Sequence, residues 1–167
     1  MEGAVFLDRD GIINKEIGDY IKSLDEFELL PHAITQIALL NQHKVKVFVV
    51  TNQGGIAKGL YSEETLAIIH KKMNQTLEAA GGLVTEVFYC PHHPDYGLCI
   101  CRKPSSLLAQ KAVAKYNLNP NNSIFIGDKP RDVTCAEGAG IRGILVSENE
   151  DWTPIIQAFL LQQFRTN

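Results

Sequence analysis

The chain of 167 residues has no apolar run approaching the roughly 20 residues of a membrane span. Its start, Met1-Glu2-Gly3-Ala4-Val5, has neither the basic residues nor the long apolar stretch of a secretory signal. Repeats and low-complexity tracts are missing as well. The 13 Gly and 7 Pro are too few and too scattered for a collagen-like or disordered chain. Nor is there an excess of positive charge. Sixteen Lys and Arg against 19 Asp and Glu leave a net charge of −3, which gives a polyanion such as DNA no electrostatic reason to bind. Cysteine is scarce, four residues in all, and three of them fall close together. Without an export signal these read as reduced thiols, and their clustering points to metal. The expectation is one soluble, cytoplasmic domain over residues 1–167, with no membrane or nucleic-acid partner. A chain this long buries about 70% of its unfolded surface, so it needs neither disulfide nor metal merely to fold.

What is present is a regular alternation of short apolar runs and amphipathic stretches. Val5-Phe6-Leu7 reads as a strand, 33–42 as a helix with Ala33, Ile37 and Leu40 along one stripe, and 45–50 as a buried strand. Ser62 suits an N-cap, with Glu63 and Glu64 in the first turn. Leu66, Ile69, Met73 and Leu77 then mark an apolar face, and Gly81-Gly82 stops the helix. Strands follow at 84–89, 123–126 and 143–146. Helices are expected around Leu108, Ala112 and Tyr116, over 132–139, and from Thr153-Pro154 onward. Strand and helix taking turns imply an α/β fold, a parallel sheet of about five strands covered on both faces. Two stretches, 11–31 and 90–104, fit neither element type. Both belong beyond the carboxyl ends of the strands, where open parallel sheets bind their ligands.

The strand ends carry the chemistry. Alternation turns Asp8 and Asp10 to the same side, where a carboxylate pair can hold a hard cation, attack phosphorus or exchange a proton. A polar loop leaving a strand reads the same way. The second strand ends in Thr51-Asn52-Gln53-Gly54-Gly55, whose hydroxyl, amides and glycine-flanked N–H groups suit a phosphoryl oxygen, or simply a strand-to-helix turn. Arg102-Lys103-Pro104 places two cations just outside a helix N-terminus, where they oppose the dipole unless an anion is bound, or else stand as a solvated pair. Asp128 and Asp132 form a second acidic site able to complete a Mg²⁺ shell, though acids at a helix N-terminus are stabilising there anyway. Finally, Cys90, His92, Cys99 and Cys101 read C-x-H-x₆-C-x-C. Cys₃His is a closed shell typical of structural zinc, and a reducing cytosol disfavours the disulfide alternative. His93 is left over as a non-ligand, and Cys135 reads as a small core residue.

In chain order the strand ends thus carry two acids, a Thr-Asn pair, a Lys and two acids. On these residues the sequence resembles the haloacid dehalogenase (HAD) superfamily of phosphohydrolases, whose four motifs match Asp8/Asp10, Thr51, Lys103 and Asp128/Asp132. With the cysteine loop added, FLDRDG, TNQGGIAKG, CPHHP, CICRKP and IGDKPRD are similar to the D-glycero-D-manno-heptose-1,7-bisphosphate 7-phosphatase family. They are less similar to its relatives, the histidinol-phosphate phosphatases. The resemblance spans about residues 4–146. It departs from the family at Ile12 (usually Thr), Lys58 (commonly Arg) and Ser105-Ser106 (Pro-Gly).

The resemblance implies a Rossmann-like three-layer sandwich without a cap domain, its site walled only by the 16–20 loop and the zinc loop after the third strand. It implies a monomeric, cytoplasmic hydrolase of carbohydrate metabolism, in lipopolysaccharide biosynthesis, acting on a small phosphorylated sugar. Asp8 would be the nucleophile, Asp10 the acid and then the base, and Thr51 and Lys103 the groups that stabilise the phosphoryl oxygens. Mg²⁺ would be held by Asp8, the Asp10 carbonyl and Asp128, with Asp132 in support. Zn²⁺ would sit among Cys90, His92, Cys99 and Cys101. Substrate contacts would come from Glu16, Gly18, Asp19, Asn52, Gln53, Gly54, Lys58, Arg102 and Lys129, a second phosphate falling to Arg102 or Lys58. Two other readings stand beside this one: a polynucleotide 3′-phosphatase, which shares a TNQ-x-GI-like motif, and a zinc-stabilised binding domain without activity.

Overall fold

A computed structural model describes residues 2–164. Five strands, β1 (Ala4–Leu7), β2 (Lys46–Asn52), β3 (Glu86–Cys90), β4 (Ile124–Gly127) and β5 (Arg142–Leu145), pair in the order β3-β2-β1-β4-β5. Every pairing is parallel, with Phe6 opposite both Phe48 and Phe125. The central strands are apolar on both sides because helices cover both sides. Val5, Leu7, Val47, Val49, Ile124 and Ile126 face one core. Ala4, Phe6, Phe48, Val50 and Phe125 face the other.

The first core is closed by α1 (Pro31–Gln42), α2 (Glu63–Ala79) and α5 (Thr153–Phe164), through Ile37, Leu40, Met73, Leu77, Ile156 and Phe159. The second is closed by α3 (Leu107–Tyr116) and α4 (Pro130–Gly138), through Leu108, Ala112 and Ala136. Cys135 lies in this second core, wholly buried. The architecture is the three-layer α/β sandwich that the alternation predicts. Among the described residues no helix is long and apolar enough to cross a membrane.

Element ends move by a residue or two from the expected ones, for local reasons. Helix α1 begins at Pro31 and α4 at Pro130, because proline at the first helical position has no N–H to leave unpaired. Strand β2 runs on to Asn52 because Thr51 and Asn52 still pair with Tyr89 and Cys90. One expectation needs correcting. Arg102 and Lys103 do not stand at the mouth of a helix, since α3 starts only at Leu107 with Ser106 as its N-cap.

The strand order reverses between β1 and β4, so their carboxyl ends diverge and open a crevice. The loop after β1 is braced there from behind. Trp152 Nε1 donates to the Ile12 carbonyl at 2.9 Å, and the Asn149 N–H to the Gly11 carbonyl at 2.8 Å.

Candidate active site

Asp8 leaves the end of β1 into a cleft of about 440 Å³. Asp10, Thr51, Asn52 and Asp128 line it at the strand ends, Glu16, Gly18, Asp19 and Tyr20 from the loop after β1, and His93 and Arg102 from the loop after β3. Lys129 and Arg131 complete the lining from the start of α4. Five carboxylates converge in this small space, which favours a cation at its centre.

Beneath the floor lies Lys103, wholly buried. Its ammonium meets Asp8 Oδ1 at 2.9 Å, Asp132 Oδ1 at 2.7 Å and the Val50 carbonyl at 2.7 Å. Three acceptors use all three of its N–H bonds. Burial works against the charge, but Asp8 and Asp132 outweigh it and hold the Lys103 pKa above its ordinary value. Burial pushes Asp8 the other way, above the usual carboxylate range, against the pull of Lys103. Asp128 is raised too, by burial and then by Asp8.

Asp8, Asp128 and Asp132 each offer an oxygen within 4.8 Å of the others. Asp128 Oδ2 is buried without a hydrogen bond, its cationic neighbour being Lys129 Nζ at 3.2 Å. An oxygen-only donor set with an orphaned lone pair fits a hard divalent ion such as Mg²⁺. Asp132 is fixed on its other side, where Oδ2 accepts the Lys129 N–H at 3.0 Å and caps α4. Gly127 is what lets α4 come this close, since a Cβ there would lie 2.3 Å from that of Asp132.

Asp10 is held quite differently. Arg9, wholly buried, folds back onto it, with Nη2 2.7 Å from Oδ1 and 3.0 Å from Oδ2 and Nε 3.1 Å from Oδ1. Asn14 Nδ2 donates to Oδ1 at 3.0 Å and Gln53 Nε2 to Oδ2 at 3.1 Å. Burial would raise the Asp10 pKa, but the guanidinium and these donors together hold it below the usual range. Gln53 also donates to Thr51 Oγ1 at 3.0 Å, which leaves the threonine hydroxyl free to donate into the cleft. The Gln53 amide is oriented by the Tyr61 hydroxyl, donating to Oε1 at 2.6 Å. Burial pushes that phenol up to about 12, so it keeps its proton.

The loop after β3 hangs on a thiol cluster. Cys90 Sγ lies 3.6 Å from His92 Nδ1 and 3.7 Å from Cys99 Sγ, and Cys101 Sγ lies 3.4 Å from His92 Nδ1. Zinc bonds of about 2.3 Å to sulfur and 2.0–2.1 Å to nitrogen give tetrahedral edges of about 3.8 and 3.6 Å, so the four donors already stand at zinc's corners. All three cysteines are free thiols. Burial pushes the Cys90 thiol up to about 12, as expected of a thiol that ionises only beside a cation.

From this cluster Arg102 reaches back, donating from Nη1 to the His92 carbonyl at 2.9 Å. The loop meets β2 at Gly54, where a Cβ would press on Arg102 Nη1 and His93 Cδ2, each at 3.1 Å. Asn52 locks the same seam. Its Oδ1 accepts the Lys103 N–H at 2.9 Å and its Nδ2 donates to the Lys103 carbonyl at 3.1 Å.

Comparison with known proteins adds a name to this geometry. Residues 100–154 match the HAD-hydrolase-like family model. A D-glycero-beta-D-manno-heptose-1,7-bisphosphate 7-phosphatase of Bordetella bronchiseptica is 39% identical over 142 residues, covering 85% of this chain and 79% of that one. The D-glycero-alpha-D-manno-heptose-1,7-bisphosphate 7-phosphatase of Photorhabdus laumondii is 36% identical, covering 81% and 77%. The chain belongs to the D-glycero-D-manno-heptose-1,7-bisphosphate 7-phosphatase family. A crystal structure of the B. bronchiseptica D,D-heptose 1,7-bisphosphate phosphatase, complexed with magnesium and phosphate, matches 97% of this chain and 87% of that one. Its TM-score is 0.83, at 36% identity.

For a member of this heptose-bisphosphate phosphatase family, the sequence-based site list is gathered mostly in one place. Asp8, Asp10, Glu16, Gly18, Asp19, Thr51, Asn52, Arg102, Asp128 and Lys129 line the cleft. Lys103 and Asp132 lie under it, and Gln53 serves Asp10, Thr51 and Tyr61 rather than the opening. Lys58 stands outside, its ammonium 5.4 Å from the centre of the Tyr20 ring. Tyr20 lines the cleft at the end of the loop expected as a wall, and His93, expected only as a non-ligand, lines it too. Sequence reasoning passed over Arg131 in the lining, and Arg9, Asn14 and Tyr61 behind it. The one signal for Arg9 was its odd position, a cation between two acids at the end of a buried strand.

Proposed function

We propose that this protein hydrolyses the 7-phosphate of D-glycero-D-manno-heptose 1,7-bisphosphate through a phosphoenzyme on Asp8. One observation carries the reading: Asp8 stands at the floor of the cleft, one oxygen held by Lys103 and the carboxylate of Asp128 beside it. An anionic nucleophile must approach an anionic phosphate, and the cleft is arranged to offset that repulsion. Asp8 attacks phosphorus in line. Asp10 protonates the departing sugar oxygen, then takes a proton from the water that cleaves the acyl phosphate. The Thr51 hydroxyl donates to a phosphoryl oxygen, while Lys103 keeps the Asp8 carboxylate ionised and aimed.

Asp8, Asp128 and the Asp10 carbonyl would hold Mg²⁺, with Asp132 in support. The ion, when bound, neutralises charge on the transferring phosphoryl group. Cys90, His92, Cys99 and Cys101 would hold a structural Zn²⁺, setting the height of Arg102 over the far end of the substrate. Glu16, Gly18 and Asp19 face the sugar hydroxyls. In this reading residues 1–167 work as one domain around one sheet, and as a monomer. Free cysteines suit a reducing compartment, which supports a cytoplasmic enzyme.

The test is a comparison of kcat/KM for both anomers of the heptose bisphosphate and for histidinol phosphate, in Mg²⁺, with the position of cleavage read by phosphorus NMR. The heptose is expected to be preferred and to be cleaved at carbon 7. A preference for histidinol phosphate, or cleavage at carbon 1, would overturn the substrate while sparing the chemistry.

A further inference from the structure

Behind Asp10 stands a charged group with no evident structural reason to be there. Arg9 is fully buried, and among the described residues its ion pair is with Asp10. Removing a guanidinium from water is costly, and a well-packed apolar residue in such a place is often neutral or stabilising instead. Its remaining surroundings do little to offset that cost. The His70 ring nitrogen lies 3.4 Å from Nη1, and the Phe27 ring lies 5.9 Å from the guanidinium carbon. The guanidinium is aimed at one target, the carboxylate on the cleft floor.

The hydrogen-bond count shows what this achieves. An ionised carboxylate offers about four lone-pair sites. Oδ1 of Asp10 receives Arg9 Nε, Arg9 Nη2 and Asn14 Nδ2. Oδ2 receives Gln53 Nε2 and only a share of Arg9 Nη2. Oδ1 is therefore filled, and Oδ2 keeps the spare lone-pair capacity of a side chain that lines the cleft. The donors are themselves held. Asn14 bridges to Asp10 along the backbone and gives its second N–H to the Lys15 carbonyl at 3.1 Å, while Tyr61 orients Gln53.

We propose that Arg9 and Asn14 are positioning residues that, with Gln53, clamp the Asp10 carboxylate so that Oδ2 alone exchanges protons with the reacting oxygens. In the first half-reaction the proton leaves Oδ2 for the sugar oxygen as the oxygen–phosphorus bond breaks and the Asp8–phosphorus bond forms. In the second, water returns a proton to Oδ2 as its oxygen bonds phosphorus and the Asp8–phosphorus bond breaks. The inference rests on the reading of Asp10 as acid and base given above.

The experiment exploits leaving-group chemistry. An alkoxide must be protonated as it departs, whereas 4-nitrophenolate leaves unaided, so a misaligned Asp10 penalises alkyl esters selectively. Arg9→Lys keeps the charge and loses the fork, and Asn14→Ala removes one donor. Both are compared with wild type and Asp10→Asn by kcat/KM on heptose 1,7-bisphosphate, histidinol phosphate and 4-nitrophenyl phosphate, with circular dichroism as the check on folding. The expected result is a loss of about ten- to a hundredfold on the alkyl esters and less than about threefold on the aryl ester, the same pattern as Asp10→Asn in milder form. Should Arg9→Lys not fold, Asn14→Ala carries the test. Equal losses on alkyl and aryl esters, or none, in variants that fold would overturn the clamp while Asp10→Asn keeps its selectivity. Loss of selectivity in Asp10→Asn itself would instead overturn the acid assignment beneath it.

Discussion

Replacing Lys103 by Met keeps most of the side-chain volume and removes the ammonium from between two buried carboxylates. In the wild type that ammonium lies 2.9 Å from Asp8 and 2.7 Å from Asp132, both nearly or fully buried. Taking one partner out of a buried ion pair costs about 3–5 kcal/mol, because the other charge is stranded. For a domain of this size that corresponds to a fall in Tm of about 6–20 °C. The loss also carries a pH signature. Burial already holds Asp8 above its ordinary pKa with Lys103 pulling it down, and without Lys103 it rises further. A carboxyl whose folded pKa exceeds its unfolded value withdraws stability as pH rises through the folded pKa. The deficit of the variant should therefore shrink as pH falls and grow toward neutrality. Thermal melts by circular dichroism in Mg²⁺-free buffer, at about pH 4.5 and about pH 7.5, measure both effects. Added Mg²⁺ should restore part of the loss, since a cation beside Asp8 replaces the missing charge. A variant within about 2 °C of wild type near neutrality, or a deficit equal at the two pH values, would refute the reasoning.

Two further outcomes follow from the wall of the cleft. Cys99→Ser or Cys101→Ser should lower bound zinc from about one per chain, read by atomic emission, and raise KM while the sheet core stays folded. Unchanged kinetics in zinc-free protein would detach the thiol loop from substrate binding. Arg102→Ala should cost about ten- to a hundredfold in kcat/KM on the bisphosphate, the value of a charge-assisted contact of about 1.5–3 kcal/mol, and little on an aryl phosphate. Equal losses on both would move Arg102 to the transferred phosphoryl group.

The sheet was legible because its burial is two-sided and local. Val47 and Val49 had to face one layer and Phe48 and Val50 the other, and strand ends followed from where the apolar runs stop. The residues at those ends could then be read as a site, and the spacing of Cys90, His92, Cys99 and Cys101 pointed to one metal shell. What escaped were the contacts that hold these residues from behind, made by folding back or across. Nothing in the spacing says that Arg9 turns onto its neighbour Asp10. Asn52 looked like a phosphate donor, yet it pairs with the backbone of a residue 51 positions away. Lys103 looked like a cation waiting for an anion at a helix mouth. The chain supplies its anions itself, from the ends of β1 and β4.

The strand order has a consequence for how the protein comes into being. The first strand made is the middle strand of the finished sheet, with β2 on one side and β4, well over a hundred residues later, on the other. Asp8 thus leaves the ribosome well ahead of β4 and α4, and its crevice does not exist until β4 docks and α4 brings in Asp132. Until then β1 offers an open edge and an uncompensated acid, a segment for which non-local pairing is slow and premature contact with other chains is a hazard. The catalytic floor in this sense closes late, so activity regained on refolding times the docking of β4 and α4 rather than the first pairing of β1 with β2.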